Sequence, residues 1–579
     1  MNISLNTNRS FQWKVEKIGV IGPGIVGMPM AALLAHARIR IGTDKPAVVQ
    51  VVQRNSRNSG WKVEAINQGK SVIGGIEPDL DAITAASVKA GLLRASWDYG
   101  TLSDADLILV SIQTDRDGLS PDYGPLLGGL DSLAQALRHK PTHKIPLIVF
   151  ESTLAPSSMI TVIKEHFAQY GLVEGEDILL GNSPNRVMPG RLVERVTMSD
   201  KLVAGLHPET PRMIREVYRH IVTRGTLHVT NSLTAEVTKT LENAYRDARI
   251  AFSAEIVRYC DQRNVDFFTL RREVNKKLAQ EDAAGDDPNA IPSGGLLVPM
   301  IGVGGHCLPK DGILLWWRKN EQVADTSNSL ILHARSINDQ APGQTLHLFE
   351  QAFDTNQQAT IAILGAAYRF NSEDTRNSPT LDFALKALEK GYRVMIHDPY
   401  VKHDDQNLRK YNLTNHFTND IDRVLQEAQY VVTATAHKYY LENLKQLVSK
   451  APELKGILDA CNAYRTSDVT SLGVQYAGIG KGVHPPSPEL TDFVCHSFRL
   501  MERGVANEVQ YLCNFLNKHF ARDEFNQVKF SEVQQLAASC STGCTIAETG
   551  PVEEVPQYHG FSSKLVEKAF NSKLEPVEK

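Results

Sequence analysis

Short apolar runs alternate with longer stretches at helical spacing along most of this chain. The first run, Val15-Glu16-Lys17-Ile18-Gly19-Val20-Ile21, leads into a glycine-rich turn and then an Ala/Leu-rich helical stretch to about Ala37. A β-branched run follows at 48–52, and DADLILVSI (104–112) and IPLIVFES (145–152) repeat the pattern. Continuous apolar runs fit strands buried on both faces, and their alternation with helices predicts a parallel, doubly wound α/β sheet. Just after Ala359 the pattern restarts with TIAILGAAYRF, a helix through Lys390, YRVMIHDPYV, YVVTATA (430–436) and KGILDAC (455–461). That predicts a second α/β domain ending near Gly482.

Between the two, Leu233, Val237, Leu241, Ala244, Ala248 and Phe252 recur at helical spacing, predicting one helix from Ser232 to about Asn264. Such a helix is too long for one small domain to cover, so it reads as a spine between domains and a dimer surface. QEDAAGDDPNAIPSGG (280–295) reads as a loop. The expected organisation is a polar tail (1–14), a first α/β domain (15–231), a central helical region with a cysteine loop (232–335), a second α/β domain (358–482) and an extension (483–579). In the extension, His484-Pro485-Pro486-Ser487-Pro488 reads as a linker and the rest as irregular.

Composition narrows the class. At 579 residues, 42% hydrophobic and 22% charged, the chain has ample core for several globular domains. A net charge of −4 gives no support for a nucleic-acid or membrane-surface partner. Seven cysteines, an odd number, argue against a disulfide scaffold and for reduced thiols in a cytoplasmic protein. The opening residues lack the apolar core of a signal peptide, and no apolar run suits membrane insertion.

Gly22-Pro23-Gly24-Ile25-Val26-Gly27 matches G-x-G-x-x-G between a predicted strand and helix. Glycines there allow a tight turn and close approach of a pyrophosphate to backbone amides at a helix N-terminus. These six positions are therefore the candidate dinucleotide cradle. An acidic residue is expected at the end of the next strand, on the adenosine ribose; here Gln53 stands there, with Arg54 beside it. Gln53 can hydrogen-bond a hydroxyl, and Arg54 is either a 2′-phosphate contact or a solvated loop charge. NAD is expected ahead of NADP.

Val303-Gly304-Gly305-His306-Cys307-Leu308-Pro309-Lys310-Asp311 is the most specific stretch. A thiol in a glycine loop is either a nucleophile or a cysteine packed in a turn. The His-Cys pair has no second ligand cluster at metal spacing, so no metal is expected. Lys239 and Asn243 fall at i and i+4, on one face of the predicted helix.

Taken together, GPGIVG (22–27), EST (151–153), NSPNRVMPGR (182–191), AEVTKTLENAYR (235–246), GVGGHCLPKD (302–311), ILGAAYRFNSEDTRNSP (363–379) and HDPYV (397–401) resemble the UDP-glucose/GDP-mannose dehydrogenase family. The resemblance runs from about Lys17 to Gly482, and SPNRVMPGR looks most like the branch acting on UDP-N-acetylhexosamines. It implies two Rossmann-like doubly wound domains, the first for NAD and the second for the UDP end of a UDP-sugar, joined by a long helix that builds a homodimer or higher homo-oligomer. It implies a two-step oxidation of the sugar C6 alcohol to a carboxylate. Cys307 would attack the intermediate aldehyde and pass through a thioester. Lys239 and Asn243 would stabilise charge on the C6 oxygen, and Thr153 and Asp311 would position water. Arg376 and Thr153 would lie near the cofactor, while Arg369, Arg186 and Gly304 would touch substrate.

One departure bears on the chemistry. Where the family has Pro-Glu, this chain has Pro184-Asn185. Asparagine can hydrogen-bond substrate but accepts no proton at neutral pH, so thioester hydrolysis should suffer. The reading is a UDP-sugar 6-dehydrogenase. The alternatives are a UDP-glucose or GDP-mannose enzyme, or a catalytically impaired nucleotide-sugar/NAD-binding protein.

Overall fold

The computed structural model describes residues 2–4, 10–57, 59–187, 189–280, 295–322, 329–356, 358–540 and 544–572. The predicted loop at 280–295 falls outside them except for its two end residues. Eight strands form the first sheet, in the order Leu227–Asn231, Lys201–Gly205, Leu179–Asn182, Leu147–Phe150, Leu107–Val110, Lys17–Ile21, Val48–Val52, Leu93–Ser96. Neighbours run parallel except Leu179–Asn182 against Lys201–Gly205. The strand order reverses beside Lys17–Ile21, which opens a crevice at the carboxyl ends of the strands. Helix Gly27–His36 leaves the first strand there and is buried along its length.

The second sheet has six parallel strands, in the order Phe417–Thr418, Arg393–His397, Thr360–Leu364, Tyr430–Thr433, Gly456–Asp459, Gln475–Gly478. The central helix spans Ser232–Arg263. Asn231 Oδ1 caps it by accepting the Thr234 N–H at 2.8 Å, and Asn264 ends it in the left-handed conformation at φ 55°.

Two sequence expectations need correction. Residues 1–14 are not simply a tail: Asn2–Ser4 pairs antiparallel with Ser10–Gln12, and Ile3 and Trp13 are buried. Ile3 and Trp13 are the apolar anchors of this pair of strands. Nor is the extension irregular. It carries a 33-residue helix, Pro488–Phe520, then helices Phe530–Ala538 and Lys564–Asn571. Leu490, Val494, Phe498, Met501, Val505, Val509, Leu512 and Leu516 form its buried stripe, and Phe498 meets Phe252 of the central helix edge-on at 5.6 Å between ring centroids. The proline run caused the misreading. Pro488 opens the helix at its first turn, where a missing N–H costs nothing.

The apolar faces of the central helix, which motivated the dimer expectation, are largely covered within the chain. Helices Leu308–Asn320, Leu330–Asp339, Pro488–Phe520 and Phe530–Ala538 all pack against it.

Candidate active site

The glycine turn after Lys17–Ile21 fits a dinucleotide. Gly22 has φ +83°, and a Cβ on it would lie 2.9 Å from the Ser111 carbonyl. A Cβ on Gly27 would lie 2.2 Å from the Gly22 carbonyl, which lets the helix start close behind the strand. Gly24 faces open space, with nothing within 4 Å of a Cβ position. Ile25 and Val26 complete the turn and pack partly against the first-domain core. Gln53 follows strand Val48–Val52, its Nε2 donating to Ser59 Oγ at 2.9 Å, while Arg54 is exposed. Sequence reading missed Lys62, whose Nζ reaches the Pro23 carbonyl at 3.4 Å and whose pKa burial lowers. It brings a cation to the rim of the turn.

Cys307 caps helix Leu308–Asn320, and its carbonyl accepts the Asp311 N–H at 2.9 Å. This first helical turn puts the Asp311 carboxylate beside the thiol. Asp311 Oδ2 accepts from Asn243 Nδ2 at 2.5 Å, and Oδ1 lies 2.8 Å from Lys310 Nζ. The Asn243 bond therefore ties the central helix to the cysteine helix. Cys307 is exposed, yet crowded by protein. Burial pushes its thiol up and Asp311 adds to this, while Lys310, Lys239 and Arg376 pull it back. Lys239 lies under the same field. Burial works to lower its pKa, but Glu242, Asp311 and Cys307 outweigh this and hold the ammonium above the ordinary lysine value. His306 is pushed down to about 4 by burial, then by Lys310 and Arg376, so it is neutral at pH 7. Among the described residues no group of three His, Cys, Asp or Glu side chains suits a metal ion.

Glu242 was not singled out by sequence, although it immediately precedes Asn243. Its Oε1 accepts from both Nε and Nη2 of Arg186, and its Oε2 stands 3.7 Å from Lys239 Nζ. Glu151, which heads the EST motif, was missed too. It is buried and accepts from Lys201 Nζ at 2.8 Å, from the Tyr218 hydroxyl and from Asn185 Nδ2. Burial lowers the Lys201 pKa against the pull of Glu151. Asn185 is thus bound to a carboxylate that is already paired. Thr153, three residues past strand Leu147–Phe150, accepts at its carbonyl from Thr114 Oγ1 at 2.7 Å.

The second domain closes over the cysteine loop. A Cβ on Gly304 would lie 2.4 Å from Tyr368 Cβ, and one on Gly305, at φ +84°, would lie 2.9 Å from the Tyr368 ring. Only glycines let that ring seat. Arg376 accepts the Gly305 N–H at its carbonyl at 2.8 Å, and its Nη1 reaches Gln113 Oε1 of the first domain at 3.2 Å. Its guanidinium is paired with Asp374, which overrides burial and raises its pKa. Arg369 lies elsewhere on this joint. Burial lowers its pKa, and Arg195, Arg191 and Glu77 are its charged neighbours.

An open glycine turn on a doubly wound sheet and a cysteine loop held under a second such sheet define a dinucleotide-dependent dehydrogenase. Three family models match in order: the UDP-glucose/GDP-mannose dehydrogenase family NAD binding domain at 16–222, central domain at 233–340 and UDP binding domain at 362–466. The chain belongs to this family and is an NAD-dependent nucleotide-sugar dehydrogenase.

It is 29% identical to a UDP-N-acetyl-D-mannosamine dehydrogenase of Pyrococcus horikoshii, over 80% of this chain and 99% of that one. It is 28% identical to an NDP-N-acetyl-D-galactosaminuronic acid dehydrogenase of Ralstonia nicotianae, over 75% and 93%. Among solved structures, the UDP-D-ManNAc dehydrogenase of Pyrococcus horikoshii superposes with a TM-score of 0.66 at 28% identity, covering 80% of this chain and 99% of that chain. The UDP-N-acetyl-mannosamine dehydrogenase of Staphylococcus aureus gives 0.63 at 25% identity, covering 80% and 98%. Among the described residues no helix is long and apolar enough to cross a membrane.

Proposed function

We propose that this protein oxidises the C6 alcohol of a UDP-N-acetylhexosamine to the uronic acid through a thioester on Cys307. The observation that carries the reading is the bond from Asn243 to Asp311, which brings the Lys239 face of the central helix to the thiol. NAD supplies the hydride acceptor, once per oxidation step. Lys239 and Asn243 stabilise the alkoxide-like C6 oxygen as its proton passes to solvent water and its hydride to NAD, giving the aldehyde. The Cys307 sulfur adds to the aldehyde carbon, the same donors hold the resulting oxyanion, and loss of a second hydride leaves the thioester. Water then releases the carboxylate and restores the thiol. Thr153 and Asp311 hold that water, and Gly304, Asn185 and Arg369 line the sugar side; Arg186, expected from the sequence to touch substrate, instead has all five of its guanidinium N–H groups bonded to Glu242, Asp200, Leu536 and Ser539.

Deacylation is the weak step in this reading. Asn185 cannot act as a base, so the carboxylate left beside the water is Asp311, which also accepts from Asn243 and Lys310. General-base assistance is worth about 10²–10⁴-fold, so substrate should give a burst of reduced cofactor and then slow turnover. Seven free cysteines support a reducing, cytoplasmic setting. The names of the relatives favour an N-acetylhexosamine over UDP-glucose or GDP-mannose. The test is a panel of nucleotide sugars with NAD or NADP, read by reduced-nicotinamide absorbance and product mass. Uronate from UDP-N-acetyl-D-mannosamine supports the reading; turnover of UDP-glucose alone, or of none of the sugars, rejects it.

A further inference from the structure

The C-terminal extension lies beyond the three matched family regions, yet it reaches the centre of the site. Helix Phe530–Ala538 packs on the central helix. Its Glu532 accepts from Thr230 Oγ1 at 2.6 Å, and the Gln527 carbonyl accepts from Asn231 Nδ2, the capping residue, at 2.8 Å. Further along, Tyr245 donates to Glu502, and Glu255 accepts from Ser563 Oγ and the Lys564 N–H at 2.7 Å each. The extension therefore grips the helix that carries Lys239 and Asn243, and the two residues leading into it, at several polar points, of which Tyr245–Glu502 and Ser563–Glu255 are buried.

The contact nearest the chemistry is made at Arg186, whose side chain is 5% exposed. Its Nη2 donates to the Leu536 carbonyl at 3.0 Å, and its Nη1 to Ser539 Oγ at 3.0 Å and to the Asp200 carbonyl at 3.1 Å. The Leu536 carbonyl belongs to the last turn of its helix, where the dipole favours a cation. The remaining donors go to Glu242 Oε1. Arg186 and Lys239 are thus rivals for one carboxylate, and Glu242 Oε2 is buried with no hydrogen-bond partner.

We infer that the C-terminal extension is a working part of the active site: Ser539 and the Leu536 carbonyl are positioning groups that anchor Arg186, so that Arg186 holds Glu242 and leaves the Lys239 ammonium available to the C6 oxygen. This rests on the reading of Lys239 given above. Without the Ser539 hydroxyl, Arg186 loosens and Glu242 relaxes onto Lys239. The ammonium is then drawn away from the reacting oxygen and deprotonates at higher pH.

The test uses the full-length chain with UDP-N-acetyl-D-mannosamine and NAD, measuring kcat, KM and the pH profile. Ser539→Ala should lower kcat by roughly three- to tenfold, the net worth of one ordinary hydrogen bond, because Arg186 keeps its other partners. KM should change little, and the alkaline limb should move up in pH. Ser539→Thr, which keeps the hydroxyl, should restore both. A Ser539→Ala variant with unchanged kcat and pH profile overturns the inference. So does an equal loss in the Ala and Thr variants accompanied by a lower Tm, since that marks a purely structural role. Lys239→Ala separates the two claims: full activity in that variant would sink the catalytic reading itself, whatever Ser539 does.

Discussion

The two sheets begin with the same unit, a strand running into a glycine and then a helix, and they finish it in opposite ways. After Lys17–Ile21 the turn is left open: Gly24 faces empty space. After Thr360–Leu364 the turn is filled from within. The Ala366 and Ala367 N–H groups donate to Asp398 Oδ2 at 2.8 and 3.0 Å, and His437 Nε2 sits 3.0 Å from the same oxygen. A Cβ on Gly365, at φ +102°, would lie 2.4 Å from Thr435 Cβ. A buried carboxylate thus takes the place at the second turn that a phosphate can take at the first. Fold alone does not make a dinucleotide site; a turn with open room over it, at Gly24, and no carboxylate seated in it does.

The sharpest way to break the comparison is to add a side chain to each turn. Gly24→Val should abolish NAD binding by calorimetry, by about 100-fold or more, because the branched side chain fills the pyrophosphate space. The fold and UDP binding should survive. Gly365→Val should do the reverse in kind, lowering the Tm through a clash and a strained φ. If both variants simply lost NAD, the two turns would not differ as described.

Next in size is Asp398→Ala. It removes the acceptor of the Ala366, Ala367, Tyr400 and Val401 amides, leaving buried donors unpaired. Such losses cost about 2–5 kcal/mol. Urea unfolding should show the cost in the second domain, with NAD affinity intact.

The two regions should also answer pH with opposite signs. In the second domain, burial pushes His397 down to about 4. Its contribution is present above the ordinary histidine value and is lost as pH falls towards 4, by roughly 1–3 kcal/mol. In the first region, burial raises Glu174 to about 7, and on the central helix beside it burial raises Glu236, which accepts from the Ser157 and Met159 N–H groups, to about 8. Their contribution is present below the ordinary glutamate value and is lost as pH rises to between 7 and 8. Hydrogen exchange at Thr360–Leu364 and at Lys17–Ile21 should therefore weaken at opposite ends of the range. Parallel pH trends would contradict this.

The smallest effect is expected at Gln53 and Arg54. Gln53→Glu should tighten NAD several-fold, because a carboxylate accepts from both ribose hydroxyls. Arg54→Ala should leave NAD unchanged and weaken NADP. Calorimetry showing NADP the tighter ligand of the unaltered chain would move Arg54 into the site.

How much of this was legible in the sequence depended on how local the cause was. Gly22, Gly24 and Gly27 announce their turn because φ and close approach are properties of a few adjacent residues. The central helix was visible from Leu233 to Phe252 by period alone. Glu242, Glu151 and Tyr368 were not, since their roles arise from partners 56, 34 and 64 positions away, as in the Arg186–Glu242 and Asn185–Glu151 bonds and the Tyr368–Gly304 packing. The helix Pro488–Phe520 carries a plain helical stripe, but a run of prolines suits a linker and a helix start alike. The place of Ser539 beside Arg186, 353 residues apart, is a consequence of tertiary packing that no local pattern records.

The covalent role of Cys307 is tested most directly by intact mass of the chain quenched during turnover of UDP-N-acetyl-D-mannosamine with NAD. The account predicts an acyl adduct on Cys307 that accumulates after a burst, two reduced cofactors per uronate, and neither adduct nor uronate from Cys307→Ser. Uronate formed by Cys307→Ser at the rate of the unaltered enzyme would contradict it.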